Sequence, residues 1–87
     1  MRILLTASGR TARTLENASA AVRVASGQFE ILCDAGTTLQ ALLEHLELDS
    51  QALLVIVDDT SIAPEARVGL ALDESMDIAL VPPIRAG

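Results

Sequence analysis

The sequence is poor in aromatic residues, cysteine and basic residues. Phe29 is the only aromatic residue and Cys33 is the only cysteine in 87 residues. The core must therefore be almost wholly aliphatic, and the chain cannot form a disulfide within itself. Lysine is absent, and twelve carboxylates against six arginines give a formal net charge of −6. Because nucleic-acid phosphates require a basic surface, this balance argues against a nucleic-acid partner.

Long apolar runs are missing as well. The apolar run that follows Arg2 is too short for the core of a signal peptide, and the longest run, residues 52–57, is too short to span a bilayer. We therefore expect a cytoplasmic protein with no membrane partner. The single cysteine favours the same compartment, because it implies no disulfide framework. The acidic composition suits a partner protein with a basic docking surface.

The hydrophobic pattern predicts several strands and one main helix. Thr37 and Gln40 form a capping box, and leucines then recur at helical spacing, which predicts a helix over residues 37–46. Residues 8–27 are compatible with a helix or with a loose excursion. The elements together predict an α+β fold in which the helix packs across a mixed sheet of four or five strands. The strands are expected at residues 3–7, 29–34, 51–57, 61–63 and 76–81.

The predicted core uses the helix stripe and one face of the strands. It contains Ile3 or Leu4, Leu5, Phe29, Ile31, Leu39, Leu42, Leu43, Leu46, Leu54, Ile56, Ile78 and Leu80. One helix cannot cover all the apolar strand residues, and a contiguous apolar patch on a small protein usually marks a protein contact. The alternative is that residues 8–27 fold back over that face. The predicted partner interface consists of Leu4, Leu32, Val55, Val81, Pro82 and Pro83.

The end of the sequence is distinctive because its last strand runs into two prolines. Pro82 and Pro83 remove two backbone donors and fix φ, which predicts an extended arm. We therefore expect one domain over residues 1–83 and a flexible tail over residues 84–87. Gly87 places no side chain beside its carboxylate, so a narrow channel in a partner can admit it. The tail residues expected to enter that partner's site with Gly87 are Ile84, Arg85 and Ala86.

The residue pattern indicates no catalytic group and no metal site within the chain. His45 near the end of the predicted helix has no second ligand, and a solvated side chain explains it best. Cys33 falls on the inward face of its strand and is expected to act as a small core residue. Asp58 and Asp59 lack the additional oxygens that a calcium site needs. We therefore expect no metal and no bound cofactor in the protein itself.

The order of these elements resembles that of the MoaD/ThiS family of ubiquitin-like sulfur carriers. The resemblance lies in the helix sequence TTLQALLEHL after the second strand and in the final strand running into PPIRAG. It implies a β-grasp fold, and it implies that an E1-like adenylyltransferase uses ATP to adenylate Gly87, which then becomes a thiocarboxylate. The sulfur would pass to a product in the active site of a larger synthase subunit. The step Pro82-Pro83 is most similar to the small subunit of molybdopterin synthase, which implies molybdenum cofactor biosynthesis.

The sequence departs from the family pattern at its penultimate residue. Ala86 stands where the family usually has the first glycine of a Gly-Gly ending. Asp58-Asp59 and Ser75-Met76 replace two frequent turn sequences of the family, Asn-Gly and Gly-Asp. Two alternatives therefore stay open beside the molybdopterin carrier. One is a β-grasp binding module or ubiquitin-like modifier that is not thiolated, and the other is a carrier for thiamine or another sulfur-containing product.

Overall fold

The computed structural model describes residues 1–18, 21–48 and 53–82, which form a mixed sheet with helices on one face. Within these residues the sheet has six strands in the order β2-β3-β1-β6-β4-β5. β1 and β6 run parallel, and the other neighbouring pairs are antiparallel. Along the chain the elements are β1 (Arg2–Ala7), α1 (Gly9–Asn17), β2 (Ala21–Ala25), β3 (Gln28–Leu32), α2 (Leu39–His45), β4 (Leu54–Val57), β5 (Thr60–Ser61), α3 (Pro64–Arg67) and β6 (Ile78–Val81).

The fold is α+β and of the β-grasp type, as predicted, but the described sheet has six strands rather than four or five. The additional strand is β2, which comes from the segment that the sequence pattern left undefined. A tight turn at Gly27, with φ 72°, connects β2 to β3. A Cβ at Gly27 would lie 3.0 Å from the carbonyl oxygen of Ala7, so this close backbone approach requires glycine.

α1 lies on the same side of the sheet as α2. Leu15 of α1 is buried and belongs to the same core cluster as Phe29 and Leu43. Arg23 of β2 is paired with Phe29 in the β2–β3 register, so the two side chains share a face. Arg23 Nη1 lies 3.7 Å from Glu16 Oε1 of α1. Among the described residues of the segment 8–27, α1 lies on the helical side and β2 extends the edge of the sheet. The alternative that the segment folds over the opposite face is therefore wrong.

α2 confirms the predicted helix, although its N-cap is one residue later than expected. Thr38 is the N-cap, and its hydroxyl oxygen accepts a hydrogen bond from the Ala41 N–H at 3.2 Å. The Thr37 hydroxyl instead donates to the Asp34 carbonyl oxygen at 2.7 Å. The predicted capping box is therefore wrong, and Gln40 Nε2 donates to Glu44 within the helix. The leucine stripe is buried as predicted.

The predicted core residues are buried except on β4, and the core also contains Leu15 and Leu72, which were not predicted. On β4, Val55 and Val57 are buried, whereas Leu54 is exposed and Ile56 is half-buried. The register with β6 explains this, because Val55 lies opposite the buried Leu80. A continuous apolar run carries no alternation, and a shift of one residue exchanges the two faces of a strand. The confirmed core residues are Ile3, Leu5, Phe29, Ile31, Leu39, Leu42, Leu43, Leu46, Ile78 and Leu80.

A buried arginine at the end of α3 connects two stretches of backbone. Arg67 is only 2% exposed. Its Nε donates to the Ile62 carbonyl oxygen at 3.2 Å, and its Nη2 donates to the Leu53 carbonyl oxygen at 2.9 Å. Arg67 thus ties the start of β4 to the segment after β5. The sequence pattern contained no signal for this role, because arginine is seldom buried.

Candidate functional site

The face of the sheet opposite the helices is largely apolar, and no element within residues 1–18, 21–48 and 53–82 covers it. Leu4 is 50% exposed, Leu32 is 74% exposed and Leu54 is 44% exposed. Val81 of β6 lies opposite Leu54 of β4, and Ala79 of β6 lies opposite Ile56 of β4. An exposed group of this kind on a small domain is typical of a protein contact. We call this surface the open face, and its apolar residues are Leu4, Val22, Leu32, Leu54, Ile56, Ala79 and Val81.

An ion pair divides the open face into two apolar parts. Arg2 Nε lies 3.1 Å from Glu30 Oε1, and these side chains project from β1 and β3 on the same side as Leu4. The pair is solvent-exposed and contributes little to stability. Its effect is to interrupt the apolar surface between β3 and β1. The β4–β6 half of the open face is therefore the more continuous apolar part.

The predicted interface residues occupy different environments in the structure. Leu4, Leu32 and Val81 are on the open face, and Pro82 follows β6 as a half-buried residue. Val55 is fully buried in the core, so its placement in the interface was wrong. Leu54 and Ile56 take its place on the open face. Sequence reasoning missed them because only the pairing with β6 sets the phase of β4.

The predicted tail lies outside the described residues. This applies to Pro83 and to the four residues that follow it, up to Gly87, including Ala86. The proposed boundary between a domain and a tail after residue 83 falls in the same part of the chain. The last described residue is Pro82, directly after β6. The open face and the predicted tail are thus joined through β6.

Acidic residues gather in the turns at the other end of β6. Asp58 and Asp59 form the β4–β5 turn, and Asp77 directly precedes β6. Asp73 Oδ1 accepts hydrogen bonds from the N–H and the hydroxyl of Ser75, both at 2.8 Å. These two bonds lower the pKa of Asp73, the backbone N–H having the larger effect. This end of the sheet therefore concentrates negative charge.

Cys33 and His45 lie beside a shallow pocket of about 250 Å³ at the margin of the helical layer. Burial raises the pKa of the Cys33 thiol, which keeps it protonated at neutral pH and weakens it as a nucleophile or ligand. Cys33 is half-buried and packs against the core, and His45 is exposed at the end of α2. Among the described residues, no three His, Cys, Asp or Glu side chains are placed to hold a metal ion.

The sequence model of the ThiS family matches residues 17–87. The chain belongs to the ThiS family. Members of the ThiS family are small, generally non-catalytic sulfur carriers that interact with E1-like activating enzymes and synthase partners. No curated protein and no solved structure matches the chain. No helix in the part of the chain that the structure describes is long and apolar enough to cross a membrane.

The ThiS family match extends through the tail but does not include the start of the chain. It covers β6, the two prolines and Gly87, so the PPIRAG segment lies within the family's sequence pattern. β1 and all of α1 except its last residue, Asn17, precede the match. The open face therefore combines strands from inside and outside the part of the chain that defines ThiS membership.

Proposed function

We propose that this ThiS-family protein carries sulfur as a thiocarboxylate on Gly87 and delivers it in molybdopterin biosynthesis. It would act as the non-catalytic small subunit of a synthase in the cytoplasm. The observation that carries this proposal is the continuity between the open face and β6, the strand that leads into Pro82 and the family-matched tail. A partner that docks on the open face receives the tail at its active site.

The proposed chemistry takes place on the Gly87 carboxylate and requires a partner for activation. A carboxylate is a poor electrophile until it bears a good leaving group. In the first step, a Gly87 carboxylate oxygen attacks the α-phosphorus of ATP, which forms an acyl-adenylate and releases pyrophosphate. In the second step, hydrosulfide attacks the acyl carbon, AMP leaves, and the product loses a proton to become the thiocarboxylate. The E1-like adenylyltransferase binds the ATP, and the carrier itself binds no cofactor.

The larger partners are proposed to contact the open face through its β4–β6 half. Leu54 and Val81 lie opposite each other there, and Ile56 extends the apolar surface toward β5. Burial of these side chains supplies nonpolar contact area, while the acidic end of the sheet orients a partner with basic residues. The same face serves the activating enzyme and the synthase subunit in turn, because both must reach the same tail.

The choice of molybdopterin as the product rests on the resemblance at Pro82-Pro83. A direct test uses the purified chain, ATP, sulfide and, in separate reactions, the activating enzymes of the molybdopterin and thiamine pathways. Thiocarboxylate formation raises the intact mass by about sixteen units, because sulfur replaces one oxygen. The thiolated protein is then combined with the large subunit of molybdopterin synthase and its precursor. Product formation supports the assignment, and transfer only to a thiazole product contradicts it.

Deletion of Gly87 provides the control for that experiment. The deletion should abolish the mass increase and leave the melting temperature unchanged, because a terminal residue usually contributes little to the stability of a domain. Ala86→Gly should leave the reaction unchanged or accelerate it, since glycine only widens the accessible conformations. If wild type and Ala86→Gly both show no mass change with either activating enzyme, the carrier proposal is wrong.

The presence of Ala86 favours one second candidate function. A methyl group at the penultimate position is unfavourable in a channel that requires positive φ or close backbone contact there. A β-grasp binding module or ubiquitin-like modifier that is not thiolated would not be subject to this constraint, because its tail need not enter a sulfur-transfer channel. Binding of a partner through the open face together with a persistently unmodified carboxylate would support this second candidate.

A further inference from the structure

The outer edge of β2 is free in the described part of the sheet. β2 lies at one end of the strand order, and among the described strands it pairs only with β3. All of its residues except Ala21 are exposed, with Val22 at 62% and Val24 at 50%. The N–H and C=O groups along such an edge can pair with another strand. The β2 edge is therefore a place where an extended segment of a partner can join the sheet.

The opposite edge of the sheet offers much less. β5 consists of only two residues, Thr60–Ser61, directly after the acidic turn at Asp58 and Asp59. Short strands and charged residues are devices that keep an edge from pairing with other chains. β2 has five residues and carries one charged residue, Arg23. Of the two edges, β2 is therefore the one that is open to a partner.

The surroundings of β2 are basic, although the protein as a whole is acidic. Residues 10–27 contain three arginines and only one carboxylate, Glu16, whereas the formal net charge of the protein is −6. Arg23 Nη1 lies 3.7 Å from Glu16 Oε1 in an exposed and therefore weak ion pair. Arg13 lies on the same flank of α1 as Glu16 and forms no ion pair with a described residue. This charge favours an acidic segment and disfavours a second copy of β2, which would bring the arginines together.

The alternation of side chains along β2 determines what an added strand must contain. Val22 lies opposite Glu30 on the open face, and Arg23 lies opposite the buried Phe29 on the helical side. Because successive side chains of a strand point to opposite faces, alternate residues of an added strand lie beside Val22 and beside Arg23. An apolar residue suits the first position and a carboxylate suits the second. The register shifts between Arg23 and Ala25, so the regular contact is short.

We propose that the β2 edge binds an extended segment of a partner protein in which acidic and apolar residues alternate. The segment adds a strand to the sheet, with its acidic side chains toward α1 and its apolar side chains beside Val22. β3 and β1 separate this site from the β4–β6 half of the open face, so both surfaces can be occupied at once. The inference does not depend on the proposed carrier function, and its test uses no sulfur chemistry.

The test follows the binding of short peptides to the ¹⁵N-labelled chain in ¹H–¹⁵N spectra, because such spectra detect the weak binding expected of a short contact. The probe is the capped peptide EVEVEV. The controls are RVRVRV, which has the opposite charge, and VVVEEE, which has the same composition without alternation. EVEVEV should shift the amide signals of β2 and bind about fivefold more tightly than either control. High salt should reduce its advantage over RVRVRV, since salt screens exposed charges.

Backbone pairing is tested separately with N-methylated peptides. The N–H groups of alternate residues point to the same edge of a strand, so methylation of only the glutamate nitrogens or only the valine nitrogens removes the donors from one edge. One of the two methylated EVEVEV peptides should bind at least about tenfold more weakly than the parent, and the other should stay within about threefold. Equal affinities of the two methylated peptides would contradict strand addition.

Two pairs of variants locate the site on the protein. Arg23→Gln should weaken EVEVEV binding about threefold, whereas Arg2→Gln, which removes a similarly exposed and paired arginine from β1, should not. Val22→Ala should also weaken binding about threefold, whereas Val68→Ala, at a valine that is 63% exposed on the helical side, should not. Equal effects within either pair would contradict the assigned site.

A second copy of the chain is the competing occupant of the β2 edge. If the β2 signals shift with protein concentration alone, and sedimentation shows a dimer that Val22→Ala weakens, the edge serves self-association and the proposal of an acidic partner segment is wrong. A monomer whose β2 signals respond to EVEVEV, and not to RVRVRV or VVVEEE, supports the proposal.

Discussion

Asp58 and Asp77 are joined by two reciprocal hydrogen bonds that connect the β4–β5 turn to the residue before β6. The Asp58 N–H donates to the Asp77 carbonyl oxygen at 2.9 Å, and the Asp77 N–H donates to Asp58 Oδ1 at 2.9 Å. Asp58 and Asp59 have φ values of 49° and 68°. These are the left-handed conformations of a two-residue hairpin turn, for which Asn-Gly is preferred. The same turn therefore closes the hairpin and positions the start of β6.

Substitutions in the Asp58-Asp59 turn should change the free energy of unfolding in a way that depends on the hydrogen bond to Asp77. Asp59→Gly should raise the free energy of unfolding by about 1 kcal/mol, because glycine adopts positive φ without steric cost. Asp58→Asn should be tolerated, since its amide oxygen can accept the Asp77 N–H. Asp58→Ala should lower stability by about 1–2 kcal/mol, because that N–H loses its partner. Urea denaturation measures all three, and a destabilised Asp59→Gly would contradict the assigned turn geometry.

Leu43 is a fully buried residue of α2, and its removal should open a cavity. Leu43→Ala is expected to lower the free energy of unfolding by about 2–5 kcal/mol. Leu54→Ala removes the same atoms from a largely exposed position and should cost much less. Thermal and urea unfolding of both variants provide the comparison. Equal losses for the two would show that α2 does not pack on the sheet as described.

Because Val55 of β4 is buried and Leu54 is exposed, substitutions at these two positions should affect stability and partner binding differently. Val55→Asp places a charge among Leu80 and the other core residues, and it should prevent folding. Leu54→Asp changes the open face and should weaken binding to the E1-like enzyme with little effect on the melting temperature. Val68→Asp is the matched control, because Val68 is exposed beside the α2–α3 groove on the helical side. Calorimetry measures the affinity of each variant for the E1-like enzyme. If Leu54→Asp and Val68→Asp weaken the affinity equally, the open face is not the interface.

Arg67 is expected to be a structural cation that methionine cannot replace. Arg67→Met keeps much of the apolar stem but leaves the Leu53 and Ile62 carbonyl oxygens without these donors. The expected loss of stability is about 1–3 kcal/mol, the cost of leaving buried polar groups unpaired. Hydrogen exchange should show the largest loss of protection around β4 and β5. Unchanged stability in Arg67→Met would mean that these carbonyl groups find water in its place.

The Asp73–Ser75 contact predicts a dependence of stability on acid pH. Because hydrogen bonds from Ser75 lower the pKa of Asp73 in the folded state, the carboxylate binds its proton more weakly there than in the unfolded chain. Its stabilising contribution is therefore present above the unfolded pKa and is lost as pH falls through the lower folded value. Melting temperatures of wild type and Asp73→Asn should converge in strongly acidic buffer and differ at neutral pH. A constant difference across this range would contradict the assignment.

Local patterns in the sequence determined α2 and the faces of β3. Leucines at helical spacing after a threonine cap specify the buried stripe of α2, and the alternation of Phe29, Glu30 and Ile31 specifies which side of β3 is buried. These features depend on contacts within a few residues, so they can be read before any pairing is known. The family assignment, too, agrees with a resemblance carried by short motifs near α2 and β6.

The tertiary structure decided the features that depend on pairing between distant segments. The run LLVIV has no alternation, and only its register with β6 buries Val55 and exposes Leu54. The described part of segment 8–27 contains α1 and β2 because β2 pairs with the edge of β3 and Leu15 packs in the core. The burial of Arg67 likewise joins residues far apart in the chain. A periodic pattern states which faces of an element differ, but the partner strand or helix determines which face lies inside.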